Sequence, residues 1–193
     1  MNEKEHINQI AQDNKEAFQK LYELYSSKVY NTIISYTKNE EDAEELLQDV
    51  FLTIYNSANT FKGESSMSTW IYRIAINKSL DFLRKKNSVK RFGIFTSLYK
   101  KDTGDIVHES VDFDHPGVKL ENKENGQLLF KAMDCLAENQ KTAFILTQIE
   151  GLSQQEAADI MNTSRKAIES LLQRAKANLK KDLEKYYPNR GLQ

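Results

Sequence analysis

Cysteine is nearly missing: Cys135 stands alone among 193 residues, so no internal disulfide can form, and a reducing, cytoplasmic setting is expected. Three histidines with no ligand-like Cys/His spacing disfavour a zinc site, and no cofactor is expected. Two prolines and seven glycines fall far below ordinary usage, which speaks against turn-rich all-β architectures. No run approaches the roughly 18 consecutive apolar residues of a membrane span. The polar, acidic start Met1–His6 does not read as a secretion signal. What is present is 39% hydrophobic and 28% charged residues with a mean hydropathy of −0.65, enough apolar material for compact but small cores and too much for a disordered chain. A mostly helical soluble protein is the expectation.

The formal charge of −1 conceals a strong pattern. Residues 1–60 carry 5 basic and 11 acidic groups, residues 61–101 carry 10 and 2, residues 102–163 carry 4 and 12, and residues 164–193 carry 8 and 3. Two basic blocks thus alternate with acidic ones. Uneven charge arises by chance in helical proteins, but this alternation also suits two nucleic-acid contacts beside acidic surfaces for a basic partner.

Helical spacing organises most of the chain. Asp13–Glu16 has the capping-box pattern, an oxygen acceptor with a carboxylate three residues on, and Ala17, Phe18, Leu21, Tyr22 and Tyr25 follow at helical intervals. Val29, Tyr30, Ile33 and Ile34 continue or restart that helix. Asn39–Asp42 starts another, whose apolar stripe Ala43, Leu46, Leu47, Val50, Phe51, Ile54 and Tyr55 lies opposite Glu41, Glu44, Glu45, Gln48 and Asp49. After a break at Lys62–Ser66, a helix is expected from Thr69 to about Lys86. Its polar edge is Arg73, Asn77, Asp81 and Arg84, and the last two can pair. Periodicity lapses over 88–123, which reads as a linker. It returns near Glu124, with Leu129, Ala132, Met133 and Leu136 in one helix and Ala143, Phe144, Leu146 and Ile149 in the next. Cys135 is expected to be a small core residue there.

Segment 153–179 carries the most specific pattern. A second capping box, Ser153–Glu156, opens a short helix from Gln154 to Met161; a turn follows; and Ser164 can cap a longer basic helix. This is a helix-turn-helix layout, which sets its second helix into the major groove. Ala157 and Ala158 are small enough for the helices to cross. Ile160, Met161, Ile168 and Leu172 supply the inner face, and Arg165, Lys166, Gln173 and Arg174 supply outward donors for bases or phosphates. A plain helical hairpin with a solvated basic face is the alternative.

The run Gly151–Met161, with Ile168–Ala175 behind it, resembles the carboxy-terminal domain of bacterial RNA polymerase sigma factors. Asp42–Phe51 independently resembles their polymerase-binding helix, and Phe61–Asn77 their promoter-melting segment. The small size, with no intervening domain, is similar to the extracytoplasmic-function subgroup. The resemblance implies an all-α protein of two small helical domains joined by an extended linker: residues 1–87 for polymerase binding and minus-ten melting, 88–123 as linker, and 124–186 as the minus-35-binding helix-turn-helix domain. It further implies that Lys62, Ser65, Ser66, Met67 and Asn77 form a pocket for an extruded base, with Asn77 offering both donor and acceptor. Arg73, Arg84, Lys85 and Lys86 would clamp the DNA backbone. Arg165, Lys166, Glu169, Ser170, Gln173 and Arg174 would face the upstream element. Glu41, Glu45, Gln48, Asp49 and Leu52 would dock on core polymerase. Promoter DNA, core RNA polymerase and an anti-sigma factor, membrane-anchored or not, are the implied partners.

The recognition helix departs from the pattern. Glu169 stands where many relatives carry a cation, and would repel phosphate but could accept from a cytosine amine; Leu171 stands where many carry arginine and can only pack or meet a thymine methyl. Phe61, Trp70 and Tyr72 read as core rather than as stacking platforms. No nucleophile–base or carboxylate–metal set is visible, so an enzyme acting on nucleic acid is disfavoured and no catalytic residue is expected. A stand-alone helix-turn-helix repressor or activator would leave the acidic helix and the melting loop without a role.

Overall fold

The computed structural model describes residues 3–99 and 123–186, with side chains described outside 89–99 and 123–124. All regular structure among them is helical: α1 Glu3–Ala11, α2 Lys15–Thr37, α3 Glu40–Ser57, a 3₁₀ turn Ala58–Thr60, α4 Met67–Tyr99, α5 Lys123–Met133, α6 Glu138–Phe144, a π-turn Ile145–Ile149, α7 Gln154–Ile160 and α8 Arg165–Leu183. α1 to α4 form the first unit and α5 to α8 the second, as the lapse of helical periodicity after residue 87 led one to expect.

Local chemistry sets the boundaries. Asn39 Oδ1 accepts from the Asp42 amide at 2.8 Å, and three carboxylates fill the first turn of α3, where the helix dipole favours negative charge. The Asp13–Glu16 box does not form. Asn14 is the cap instead, accepting from the Ala17 amide at 3.1 Å, because Asp13 has turned to φ +64° and its carboxylate accepts from the Tyr55 hydroxyl. α2 is one continuous helix through Thr37, closed by Lys38 in the left-handed region. α4 also exceeds its expected end near Lys86. Its backbone stays helical to Tyr99, so the first dozen residues of the expected linker belong to this helix. No Pro or Gly stands in the way before Gly93, and helix interiors tolerate a single glycine at a cost of about 1 kcal/mol. The remainder, 100–122, lies outside the described residues.

The core of the first unit comes from one face of each helix: Ile7 and Ile10, then Leu21, Val29 and Ile33, then Val50 and Ile54, then Ile71 and Ala75. Phe18 meets Phe51 and Tyr55 edge-on, with ring centroids 6.3 and 5.3 Å apart. In the second unit Ala157 and Ala158 are fully buried beside Leu146, Ile160, Ile168 and Leu172. Only a methyl fits where α7 crosses α8. A longer side chain there would overpack by typically 1–3 kcal/mol.

The units do not stand apart. Tyr72 and Ile76 of α4 belong to the apolar cluster of the helix-turn-helix, and Phe130, Met133 and Leu136 of α5 and its end join that of the first unit. Polar bonds reinforce the seam. The buried Tyr36 hydroxyl donates to Thr142 Oγ1 at 2.9 Å. Lys38 donates to the Phe130 carbonyl at 2.5 Å and pairs with Asp134, which Lys141 also reaches at 2.9 Å. Arg84 bridges to Glu138 at 2.7 Å. Cys135, expected in the core, is exposed: its backbone closes the turn after α5 through a bond to the Ala132 carbonyl, which directs the side chain outward while Met133 and Leu136 point in.

Candidate nucleic-acid interface

The loop before α4 is built by a few short-range bonds. Gly63 turns the chain at φ +73°, and a Cβ there would meet Lys4 Cδ at 3.2 Å. Ser66 then caps α4, its Oγ accepting from the Thr69 amide at 3.1 Å, and the Met67 amide donates to Glu3 Oε2 at 2.8 Å. Lys62 and Ser66 are exposed and Ser65 half-buried, whereas Met67 is only 7% exposed and packs in the core beneath the loop. Asn77 is exposed about three turns along α4. Phe61 and Tyr72 are buried, as expected, and Trp70, half-buried, packs on Phe61 at 5.2 Å.

The expected backbone clamps fare unevenly. Lys85 is exposed, while Arg84 pairs with Asp81 at 3.1 Å as well as Glu138, and Lys86 reaches Asp42 at 2.8 Å. Arg73 is engaged most deeply. Its Nη2 donates to the Asp159 carbonyl at 2.6 Å, which also accepts from the Asn162 amide, and its Nε to the Ile160 carbonyl at 3.3 Å, so the guanidinium caps the end of α7. Ser65, Ser66 and Arg73 therefore face Asn162 and Thr163 of the helix-turn-helix turn across a cleft of about 340 Å³.

α8 presents its polar face cleanly. Ser164 caps it through the Ala167 amide at 3.2 Å, and Arg165, Lys166, Glu169, Ser170, Gln173 and Arg174 are all exposed. Arg174 lies along its own helix, Nε donating to the Ser170 carbonyl at 3.3 Å. Leu171, half-buried, packs against the second unit's apolar cluster. Ahead of it, the Ser153 box forms in both directions: Ser153 Oγ accepts from the Glu156 amide at 3.2 Å, and the Glu156 carboxylate accepts from the Ser153 amide at 2.8 Å. These bonds hold the Glu156 carboxyl below its ordinary range. On the far side, Glu41, Glu45, Gln48 and Asp49 of α3 are exposed, and Leu52 beside them is 58% exposed.

Sequence reasoning missed the residues of the seam. Lys38, Tyr36, Asp134 and Glu150 carry no spacing signal, since each meets its partner across at least 78 residues of chain or through a covered surface. At this seam burial lowers the Lys38 ammonium, outweighing its pairing with Asp134. Against the desolvation that would raise it, Lys141 and Lys38 together hold the Asp134 carboxyl below the usual range. Among the described residues no group of three or more His, Cys, Asp and Glu could hold a metal ion, and no helix is long and apolar enough to cross a membrane.

A helical unit with an exposed acidic face, followed by a helix-turn-helix, defines a class of DNA-binding transcription protein. Residues 21–89 match Sigma-70 region 2 and residues 126–179 match Sigma-70 region 4. The ECF RNA polymerase sigma factor SigX of Bacillus subtilis is 30% identical over 170 residues, covering 88% of this chain and 85% of that protein. The ECF sigma-E factor of Haemophilus influenzae is 28% identical over 180 residues, covering 92% and 93%. In fold, the chain is similar to CnrH in its complex with the cytosolic domain of CnrY, at TM-score 0.65 and 22% identity over 94% of this chain and 97% of that one. The chain belongs to the extracytoplasmic-function sigma factors, the promoter-directing subunits of RNA polymerase.

Proposed function

We propose that this chain docks on core RNA polymerase through α3 and reads a promoter with the loop before α4, with α4 itself and with α8. The observation that carries this division is the separation of charge on the folded surface: exposed carboxylates cluster on α3, while exposed cations cluster on α8 and toward the end of the described side chains of α4. Glu41, Glu45, Gln48 and Asp49 surround exposed Leu52, an arrangement suited to a basic, partly apolar partner surface. Lys62, Ser65, Ser66 and Asn77 would line a pocket for an unpaired base, with buried Met67 as its floor. Arg73, Arg84, Lys85 and Lys86 would hold phosphates, giving a steep salt dependence. On α8, Arg165, Lys166, Ser170, Gln173 and Arg174 would contact the upstream element, and Glu169 would accept from cytosine.

In this reading residues 1–87 and 124–186 are the two working domains and 88–123 the connection between them. The polymerase supplies the chemistry, and the chain itself catalyses no reaction and works in the cytoplasm. Two solved structures of similar fold are complexes, CnrH with the cytosolic domain of CnrY and the sigma factor RpoE of Bartonella quintana (TM-score 0.62, 23% identity) with the anti-sigma factor NepR, which supports an anti-sigma partner for this chain as well.

Binding of purified core polymerase to the full chain and to the Glu45→Lys/Asp49→Lys variant tests the docking face. The variant should bind more weakly, increasingly so at low salt. Equal affinity of the two proteins would remove α3 from the docking surface, and failure of both to bind would overturn the polymerase reading itself.

A further inference from the structure

Glu150 sits between the π-turn and α7, on the covered side of the seam, and none of the surfaces assigned to polymerase or DNA uses it. Its Oε2 accepts from the Tyr72 hydroxyl of α4 at 3.4 Å, whereas its Oε1 is buried and receives no hydrogen bond from the protein. The groups that face it are few. α2 brings Thr32 and, farther out, the Lys28 ammonium; α4 brings Tyr72, which in turn faces Tyr25 of α2 and Glu156 of α7. Lys28 lies over the Tyr25 ring, 5.9 Å from its centroid, and Thr32 donates its hydrogen to the Lys28 carbonyl at 3.1 Å.

Hydrogen counting then favours one protonation state. An ionised carboxylate only accepts, and the one Thr32 hydrogen already serves the Lys28 carbonyl, so ionisation either leaves Oε1 a buried, unsatisfied anion or takes that hydrogen from the carbonyl. A neutral carboxyl carries its own hydrogen, and the Thr32 oxygen beside it can accept. We propose that Glu150 is a proton-operated latch between the two units: when neutral it lets the end of the π-turn pack against α2 and α4, and when ionised it drives the units apart and releases Arg73 from the carbonyls of α7.

The electrostatics agree in sign. Burial pushes the Glu150 carboxyl up to about 7, outweighing the pull of Thr32, Tyr72 and Lys28. Separation would return it toward 4.5, its ordinary value. Closing therefore takes up a proton. It is most favoured below the lower value, weakens as pH rises through the upper one, and is flat above it. Between pH 5.5 and pH 8 this linkage changes the closing equilibrium by up to about 25-fold, less where solvent reaches the carboxyl. Only the consequence for transcription rests on reading Arg73 as a DNA clamp; the opening itself does not.

Small-angle X-ray scattering of the full chain at pH 5.5 and pH 8 tests the latch, with Glu150→Gln beside the wild type. The wild-type radius of gyration should grow at the higher pH, while Glu150→Gln, neutral throughout and still carrying His6, His108 and His115, should stay compact at both. A wild-type radius that does not move, or a Glu150→Gln protein that expands as the wild type does, overturns the proposal. Carbon-13 NMR titration of the Glu150 carboxyl in the wild type decides the matter independently, should the variant lose its helical circular dichroism. A midpoint near 7 supports the latch and one near 4.5 refutes it. Core-polymerase binding enters neither measurement, so a failed docking reading leaves this result intact.

Discussion

Replacing Asp134 by Asn should destabilise the protein more than a surface carboxylate would, because of what stays behind. The Lys38 and Lys141 side chains are 15% and 8% exposed, so both ammonium groups would keep their desolvation cost and lose the charge that offsets it. Removing one partner from a buried pair costs roughly 3–5 kcal/mol, whereas an exposed pair contributes roughly 0–1 kcal/mol. Asp134 itself is half-exposed, 52%, and its amide replacement can still accept a hydrogen bond, which places the expected loss between the two at about 2 kcal/mol. For a chain of this length that is a fall in Tm of about 4–8 °C. Urea titration followed by helical circular dichroism at pH 7 measures it. Lys38→Met/Asp134→Leu should recover part of the loss, since it removes the stranded Lys38 charge along with its partner. A loss below about 0.5 kcal/mol, or a double variant weaker than the single one, would refute the claim that desolvated lysines dominate this seam. The pH course has a definite sign. Because the folded structure holds the Asp134 carboxyl below its ordinary value of 3.8, its contribution is complete above that value and disappears as acid drives the pH through the lower folded value.

Three further outcomes follow from the site. Asn77→Ala should cut transcription from a cognate promoter about tenfold, the scale of one lost base contact, and leave polymerase binding unchanged in a pull-down; equal activity would empty the base pocket of its reader. Arg174→Ala should weaken binding to the upstream element by about 1–3 kcal/mol if it reads a base, with relaxed preference at one position, and a loss uniform across DNA sequences in fluorescence anisotropy would demote it to a phosphate contact. Ser153→Ala removes the side-chain half of the capping box, leaving the Ser153 amide to donate to Glu156, and should cost about 1 kcal/mol in a denaturant titration, with unchanged stability marking α7 as held by packing alone.

Elements specified by neighbours in sequence were readable in advance. Asn39, Ser153 and Ser164 each cap the helix their spacing announced, and the small pair Ala157–Ala158 lies where the helix-turn-helix needs it. The Asp13–Glu16 box misled because a long-range competitor, the Tyr55 hydroxyl, drew Asp13 away and passed the capping role to Asn14. Local propensity likewise gave no reason for α4 to continue to Tyr99, since its basic, weakly amphipathic second half reads equally well as a connection. Of the candidate site, exposure of the α3 carboxylates and the α8 donors was legible from helical periodicity. The engagement of Arg73 by α7 was not, because carbonyls at a helix end are present in every sequence and nothing in the side-chain pattern marks which cation will reach them.

The lone thiol turns out to be well placed for spectroscopy. Cys135 is adjacent to Asp134 yet open to solvent, so a maleimide dye attached there would sit at the junction without any engineered mutation. Desolvation and the nearby Asp182 carboxylate push its thiol above the ordinary value, which slows alkylation near neutrality and calls for mildly alkaline labelling. The rate of that alkylation is itself a gauge: it should quicken whenever the last turn of α8 withdraws Asp182 from the sulfur.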